Sequence, residues 1–235
     1  TMRSWIFVTT ICAFSMCSYS AEEGTALERG EYGPLDKAPQ TALYDYPIKV
    51  SERVYSAIGA TQPPTYENAG HNNNLSFVVG SEAVLVVNGG SNNALARALH
   101  REIKKVTDLP VKYVISENGQ GHATYGNHYW KNQGATLIGH VDAQHEIDEK
   151  GFGGLARMRE YAKEFAEDTE LTNFDITFDD QYEINLGNLL VIAKEYGSAH
   201  SPGDVTVLIP AEKVVLAGDI AFHVRMPPIF DNTDA

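Results

Sequence analysis

Cysteine is almost missing from this chain: Cys12 and Cys17 are the only two among 235 residues. Both lie in an apolar stretch, Trp5 to Cys17, that follows Arg3 and precedes the small residues Ser18 and Ser20. A basic residue, a short apolar run and small residues before Ala21 make the pattern of a secretory signal peptide. Residues 1–20 are therefore expected to be cleaved and the protein exported, to the periplasm or beyond the cell. The run falls short of the roughly 20 apolar residues a bilayer span needs, so no stable membrane insertion is expected after cleavage. A mature chain without cysteine can have no disulfide framework, no thiolate nucleophile and no sulfur metal ligand. Any metal site must come from His, Asp, Glu, Asn and Gln.

Positive charge is also scarce. Eighteen Lys and Arg face 31 Asp and Glu, a formal charge of -13. With no basic run, the chain offers little to a phosphate backbone, and nucleic acid is not expected as a partner. No solenoid-type repeat is present, so the length suits one domain with a sizeable core.

What is present begins to look ordered near position 51. Residues 21–50 are polar with scattered Gly and Pro and are expected to form a loosely ordered leader; residues 51–235 are expected to form the domain. "NLSFVVGSEAVLVVNGG" is two β-rich runs about a Gly-Ser-Glu turn, a hairpin by composition. Leu95, Leu99, Ile103 and Val106 recur at helical spacing after Ser91, a plausible cap, and Pro110 ends the pattern. "VKYVIS" and "ATLIGH" are buried strands. "GGLARMREYAKEFAED" predicts a helix, and "GNLLVIAKEYG", "DVTVLIP" and "KVVLAGDIAF" three more strands. Hairpins mixed with crossovers give an α/β or α+β class. "FVVGSEAVLVVNGG" and "TVLIPAEKVVLAGD" echo each other, so two related halves would set the loops "NGG" and "AGD" at similar positions.

Three polar loops follow strands: "SENGQGH", "GSAHSPGD" and "AGD". Histidine and carboxylate on separate strand ends is how a sulfur-free metal site is assembled. His200 and Asp219, one on each side of a hairpin, are the strongest pair. Of the other histidines, His128 fits a surface helix, His140 ends a strand, His145 sits on an acidic exposed segment, and His71 lies in a loop that could line a cleft. Tyr125, Tyr129 and Trp130 read as core or rim.

"GSAHSPGDVTVLIPAEKVVLAGDIAF" resembles the second half of the metallo-β-lactamase superfamily, where His-Thr-Pro-Gly-Asp, a hairpin and Gly-Asp recur. "FVVGSEAVLVVNGGSN", the following amphipathic helix and "PVKYVISENGQGHATYGN" resemble its first half, so the likeness runs from about Arg53 to Phe222. The resemblance implies a four-layer αββα sandwich with a zinc site at one sheet edge, and a metal-held hydroxide attacking an ester, an amide or lactam, or a thioester of a small molecule. Carried over by position, His200 and Asp219 are metal ligands, with Asp219 and His122 catalytic and Asp204 supporting the His200 loop.

The family's His-x-His-x-Asp-His signature is degenerate here. Without gaps its positions fall on Asn118, Gln120, His122 and Ala123; with one inserted residue they fall on Glu117, Gly119, Gly121 and His122. His122 survives in either register, and Glu117 is a further candidate ligand. Asn118 and Gln120 are pocket residues, and Asn88 replaces a buttressing Asp. The donor count implies one zinc ion rather than two. A metal-free binding protein of the same fold is the alternative. Thr1 precedes Met2 and "RMPPIFDNTDA" has no closing element, so a C-terminally truncated fragment, poorly soluble alone, is expected.

Overall fold

The computed structural model describes residues 42–223. The expected signal peptide, both cysteines, most of the polar stretch expected as a leader and the expected truncated end lie outside the described residues.

Two sheets face each other. The larger has seven strands in chain order: β1 (Ile48–Lys49), β2 (Val54–Ala57), β3 (Leu75–Val79), β4 (Val84–Val87), β5 (Val111–Ile115), β6 (Thr136–His140) and β7 (Ile176–Phe178). Pairing is antiparallel through β4 and parallel from β4 to β7. The smaller sheet is antiparallel, with β8 (Gln181–Asn185), β9 (Leu190–Glu195), β10 (Val205–Ile209) and β11 (Val214–Leu216) in the order β11-β10-β9-β8.

Strand alternation divides the interior in two. Phe77, Val84, Val86, Val114 and Leu137 point to one face of the large sheet and pack with Leu95, Leu99 and Ile103 of helix α1 (Asn93–Val106) and with Leu155 and Met158 of helix α4 (Val141–Ala162). Val78, Leu85, Val87, Ile115 and Ile138 point the other way and meet Val191, Ala193, Val205, Val207 and Ile209 of the small sheet. Strands apolar on both faces are what a sheet covered on both sides requires. The described layers are thus helix, sheet, sheet. The expected fourth, helical layer has no element among the described residues, and Leu190 and Val215 are exposed on the small sheet.

Several boundaries differ from expectation. Ser91 does not cap α1: its Oγ donates to Gly70 O, and Asn92 Oδ1 accepts from Leu95 N at 2.9 Å instead. Helix α4 starts twelve residues before the expected Gly153, at Val141, with His140 Nδ1 accepting from Asp142 N. It runs straight through Gly151, Gly153 and Gly154, and a short 3-10 turn at Lys163–Ala166 follows it. The packed body also begins earlier than Ser51, since Ala42 and Leu43 are buried and β1 pairs with β2. Strands β1, β2, β7 and β8 are additions to the expected set. No helix among the described residues is long and apolar enough to cross a membrane.

Candidate metal centre

The parallel strands β4, β5 and β6 end on one edge of the large sheet, where open α/β sheets place their ligand sites. Asn88 follows β4 and Glu117 follows β5. From the other sheet, the loop before β10 brings His200 and Asp204, and the 3-10 turn Gly218–Ile220 after β11 brings Asp219. A hydrogen bond from Val205 N to Glu117 O, 2.6 Å, ties the two sheets together at this edge.

Glu117, His122 and Asp219 each present one donor atom, and the three atoms lie within 4.8 Å of one another. His122 Nε2 is 3.1 Å from Glu117 Oε1 and 3.2 Å from Asp219 Oδ2. His200 Nε2 stands farther out, 3.9 Å from Asp219 Oδ2, with its ring edge-on to Phe222. Glu117 and His200 are buried, and His122 and Asp219 nearly so.

The surroundings fix these groups. Asn88 Oδ1 accepts from Glu117 N at 3.0 Å while its Nδ2 donates to Asn74 O, so the amide in place of Asp keeps the buttress. Asn88 sits at φ +69°, left-handed backbone that Asn tolerates better than most residues. Asn118 Nδ2 donates to both Asp219 Oδ2 and Asp204 Oδ1, and its Oδ1 accepts from Gln120 N. Asp204 accepts from Ser201 N and Ser201 Oγ and so holds the His200 loop. Gly218, at φ +60°, packs its backbone against the Glu117 carboxylate; a Cβ there would stand 2.5 Å from Glu117 Oε2.

The charges are coupled. Burial lowers the proton affinity of His122, but the charge and hydrogen bond of Asp219, joined by Glu117, outweigh it and lift the imidazole to about 10. Burial pushes Asp219 up, yet the charge of His122 and its hydrogen bond win and hold the carboxyl at about 2. Glu117 is raised, chiefly by burial, with His122 pulling the other way and Asp219 adding to the rise.

Among the two registers weighed from sequence, the geometry matches the one with an inserted residue. Glu117 and His122 point into the same space, whereas Ala123 is core, Asn118 faces the carboxylates with its amide nitrogen, and Gln120 lines a neighbouring cavity as the residue before the short helix α2 (Gly121–Thr124). Helix α3 (Asn127–Asn132) carries His128, whose ring contacts Asn93, Asn132 and Asp168 O, away from this edge. His140 is buried with Nε2 against Asp179 O, His145 is on the surface beside Asp142, and His71 is in the core with Nδ1 accepting from Tyr44 N. Trp130 donates to Gly89 O in the core.

Sequence reasoning missed the other wall of the site. A cavity of about 420 Å³ runs from His122 and His200 to α4, where Glu146, Lys150, Arg157 and Tyr161 line it. Positions 146, 150, 157 and 161 share one helix face (four, seven and four apart), a signal that was readable once α4 was known to begin at Val141.

The donor set suits a small divalent cation. Ligands at 2.0–2.2 Å in a tetrahedron are about 3.4 Å apart, and the contacts of 3.1, 3.2 and 3.9 Å bracket that edge. Two carboxylates with two imidazoles match a dication in charge as well as in ligand type.

A sequence-family profile described as "Metallo-beta-lactamase superfamily" matches residues 124–232, which include His200 and Asp219 and begin just after His122. The structure is similar to a metallo-beta-lactamase from Pontibacter korlensis, with a TM-score of 0.59 and 16% identity over 77% of this chain and 74% of that one. It is also similar to the metallo-beta-lactamase DIM-1 (TM-score 0.59, 13% identity, 80% and 76% covered) and to TMB-1 (0.59, 11%, 80% and 77%). At such identities these likenesses are of fold. Profile, fold and the order of the two polar loops agree: the chain has the metallo-β-lactamase fold, and its residues 124–232 match the model of that superfamily.

Proposed function

We propose that the protein is an exported metal-dependent hydrolase of a small ester, amide or thioester, with a site that takes one zinc ion. The observation that carries this reading is the meeting of Glu117 and His122, from the segment after β5, with Asp219, from the turn after β11, within 4.8 Å. Glu117, His122 and Asp219 would hold the ion, with His200 the fourth contact. When bound, such a cation acts as a Lewis acid and lowers the pKa of water toward neutrality.

The chain's own groups do the rest. Asn88 and Asn118 keep Glu117 and Asp219 oriented, Asp204 keeps the His200 loop in place, and the burial of the cluster strengthens every charge interaction in it. Asp219, in contact with both imidazoles, is placed to accept a proton from the attacking water. A panel of chromogenic esters, lactams and thioesters tests the reading. Turnover that a chelator abolishes, and that Asp219→Ala reduces at least about a hundredfold, is expected; chelator-resistant turnover overturns it.

A second reading rests on the same contacts. His122, carrying a proton, already bridges the two carboxylates, and the glycines at 119 and 121 offer no donors. A metal-free binding protein would use this triad as a structural ion cluster. Equal thermal stability with and without zinc, together with retained ligand binding in His200→Ala and Asp219→Ala, is its signature.

A further inference from the structure

The cavity beside the cluster has an asymmetric electrostatic lining. Its charged side chains on α4 are Glu146, Lys150 and Arg157. Lys150 Nζ is 3.3 Å from Glu146 Oε1, so these two largely cancel. Arg157 has no carboxylate within salt-bridge distance among the described residues. One guanidinium charge is therefore left over, on a chain whose formal charge is -13.

That guanidinium lies close along the helix backbone. A methyl on Gly153 would stand 3.6 Å from Arg157 Nη1, and one on Gly154 would stand 3.8 Å from Nη2, so the group lies back along the two glycines. Gly154 also allows the Tyr125 hydroxyl, which donates to Gly151 O, to sit against the helix backbone; a Cβ there would overlap that oxygen. Three glycines inside one helix turn each cost about 1 kcal/mol relative to alanine. Here they bring Arg157, Tyr125 and the helix together at the cavity wall. Met158, Tyr161 and Pro64 add apolar surface between the Arg157 end and the His122 end.

We propose that this cavity binds a substrate carrying one anionic head group, a carboxylate or sulfonate, with the head group on Arg157 and an apolar body lying over Tyr125 and Tyr161 toward His122. This assignment of substrate class rests on the hydrolase reading. A monoanion matches the single uncompensated charge; a compact dianion such as phosphate would carry one negative charge more than this wall balances. Arg157 is a specificity residue, since it offers a planar fork of donors and lies on α4, apart from the His122–Asp219 cluster.

The test compares 4-nitrophenyl hemiesters of dicarboxylic acids, from succinate to sebacate, with neutral 4-nitrophenyl alkanoates of equal chain length. For at least one chain length R157Q is expected to lower the ratio of kcat/KM, hemiester over neutral ester, by about ten- to hundredfold, the range for a hydrogen bond to a charged group. K112Q, which changes the net charge equally at an exposed position outside the cavity, is expected to leave the ratio alone. Binding of the monoanion octanoate to chelator-treated protein, followed by calorimetry, is expected to weaken similarly in R157Q. An unchanged ratio in R157Q with unchanged octanoate binding, or an equal effect of K112Q, overturns the proposal, as does failure of octanoate to bind the unsubstituted protein. If no ester is turned over, the hydrolase reading fails, and octanoate binding alone then decides this proposal: loss in R157Q supports it and no change overturns it.

Discussion

Replacing Gly218 by alanine strikes both the backbone and the candidate centre. The residue sits at φ +60°, where an L side chain costs about 1–2 kcal/mol. The new methyl would also lie 2.5 Å from Glu117 Oε2 and 3.1 Å from Glu117 Cβ and Cδ, so the carboxylate must retreat by about 1 Å to reach ordinary contact. Forced displacement of a packed, buried group adds roughly 1–3 kcal/mol. The expected total is about 2–5 kcal/mol in urea unfolding of the metal-free protein. Because Glu117 is the displaced group, zinc affinity is expected to fall about ten- to hundredfold, as when a ligand's supporting shell is disturbed. Gly134→Ala is the matched control: its φ is +88° and nothing lies within 4 Å of the added methyl. It should show the backbone cost alone and leave zinc affinity untouched. If both variants lose the same stability and bind zinc equally, the claimed packing of Gly218 on Glu117 is wrong.

Two further outcomes follow from the same contacts. Asn92→Ala removes the α1 cap on Leu95 N and a buried donor to Ala69 O, and should cost about 2–4 kcal/mol; Asn92→Ser, which keeps a cap acceptor, should recover about half by thermal or urea unfolding. His71 is held to about 4 by burial, so the unfolded chain binds its proton near 6.5 and the folded chain does not until lower pH. Stability should then fall as pH drops through 6.5, by about 3 kcal/mol in full near pH 4, and the His71→Gln variant should lack that part of the slope; parallel curves would contradict it.

Much of this was legible in the sequence, and the reasons for the misses are local. The hairpins β3–β4 and β10–β11 were visible because Val and Leu alternate around tight polar turns, and the matching loops they end in do meet: Asn88 and Gly218 both touch Glu117. Helix α1 was visible from the spacing of Leu95, Leu99 and Ile103. Helix α4 was placed too late because "GFGG" reads as a break, whereas tertiary packing of Tyr125 and Leu171 against Gly151 and Gly154 requires those glycines inside the helix. Strands β7 and β8 lie at sheet edges, and β8 is largely exposed and polar, so it carries little hydrophobic signal. At the candidate centre His122, His200 and Asp219 could be named from motif order. The register that makes Glu117 their neighbour was one of two left open, because "ENGQGH" is a loop whose path depends on Asn118 bonding to Asp204 and Asp219 across the sheets.

The most direct test of the central claim is zinc stoichiometry and affinity, measured by calorimetry and elemental analysis on chelator-stripped protein and on the His122→Ala and Asp219→Ala variants. One zinc per chain, with binding lost or weakened at least about a hundredfold in either variant, is expected from the convergence of these donors. No binding above background, or binding undiminished in both variants, would contradict it.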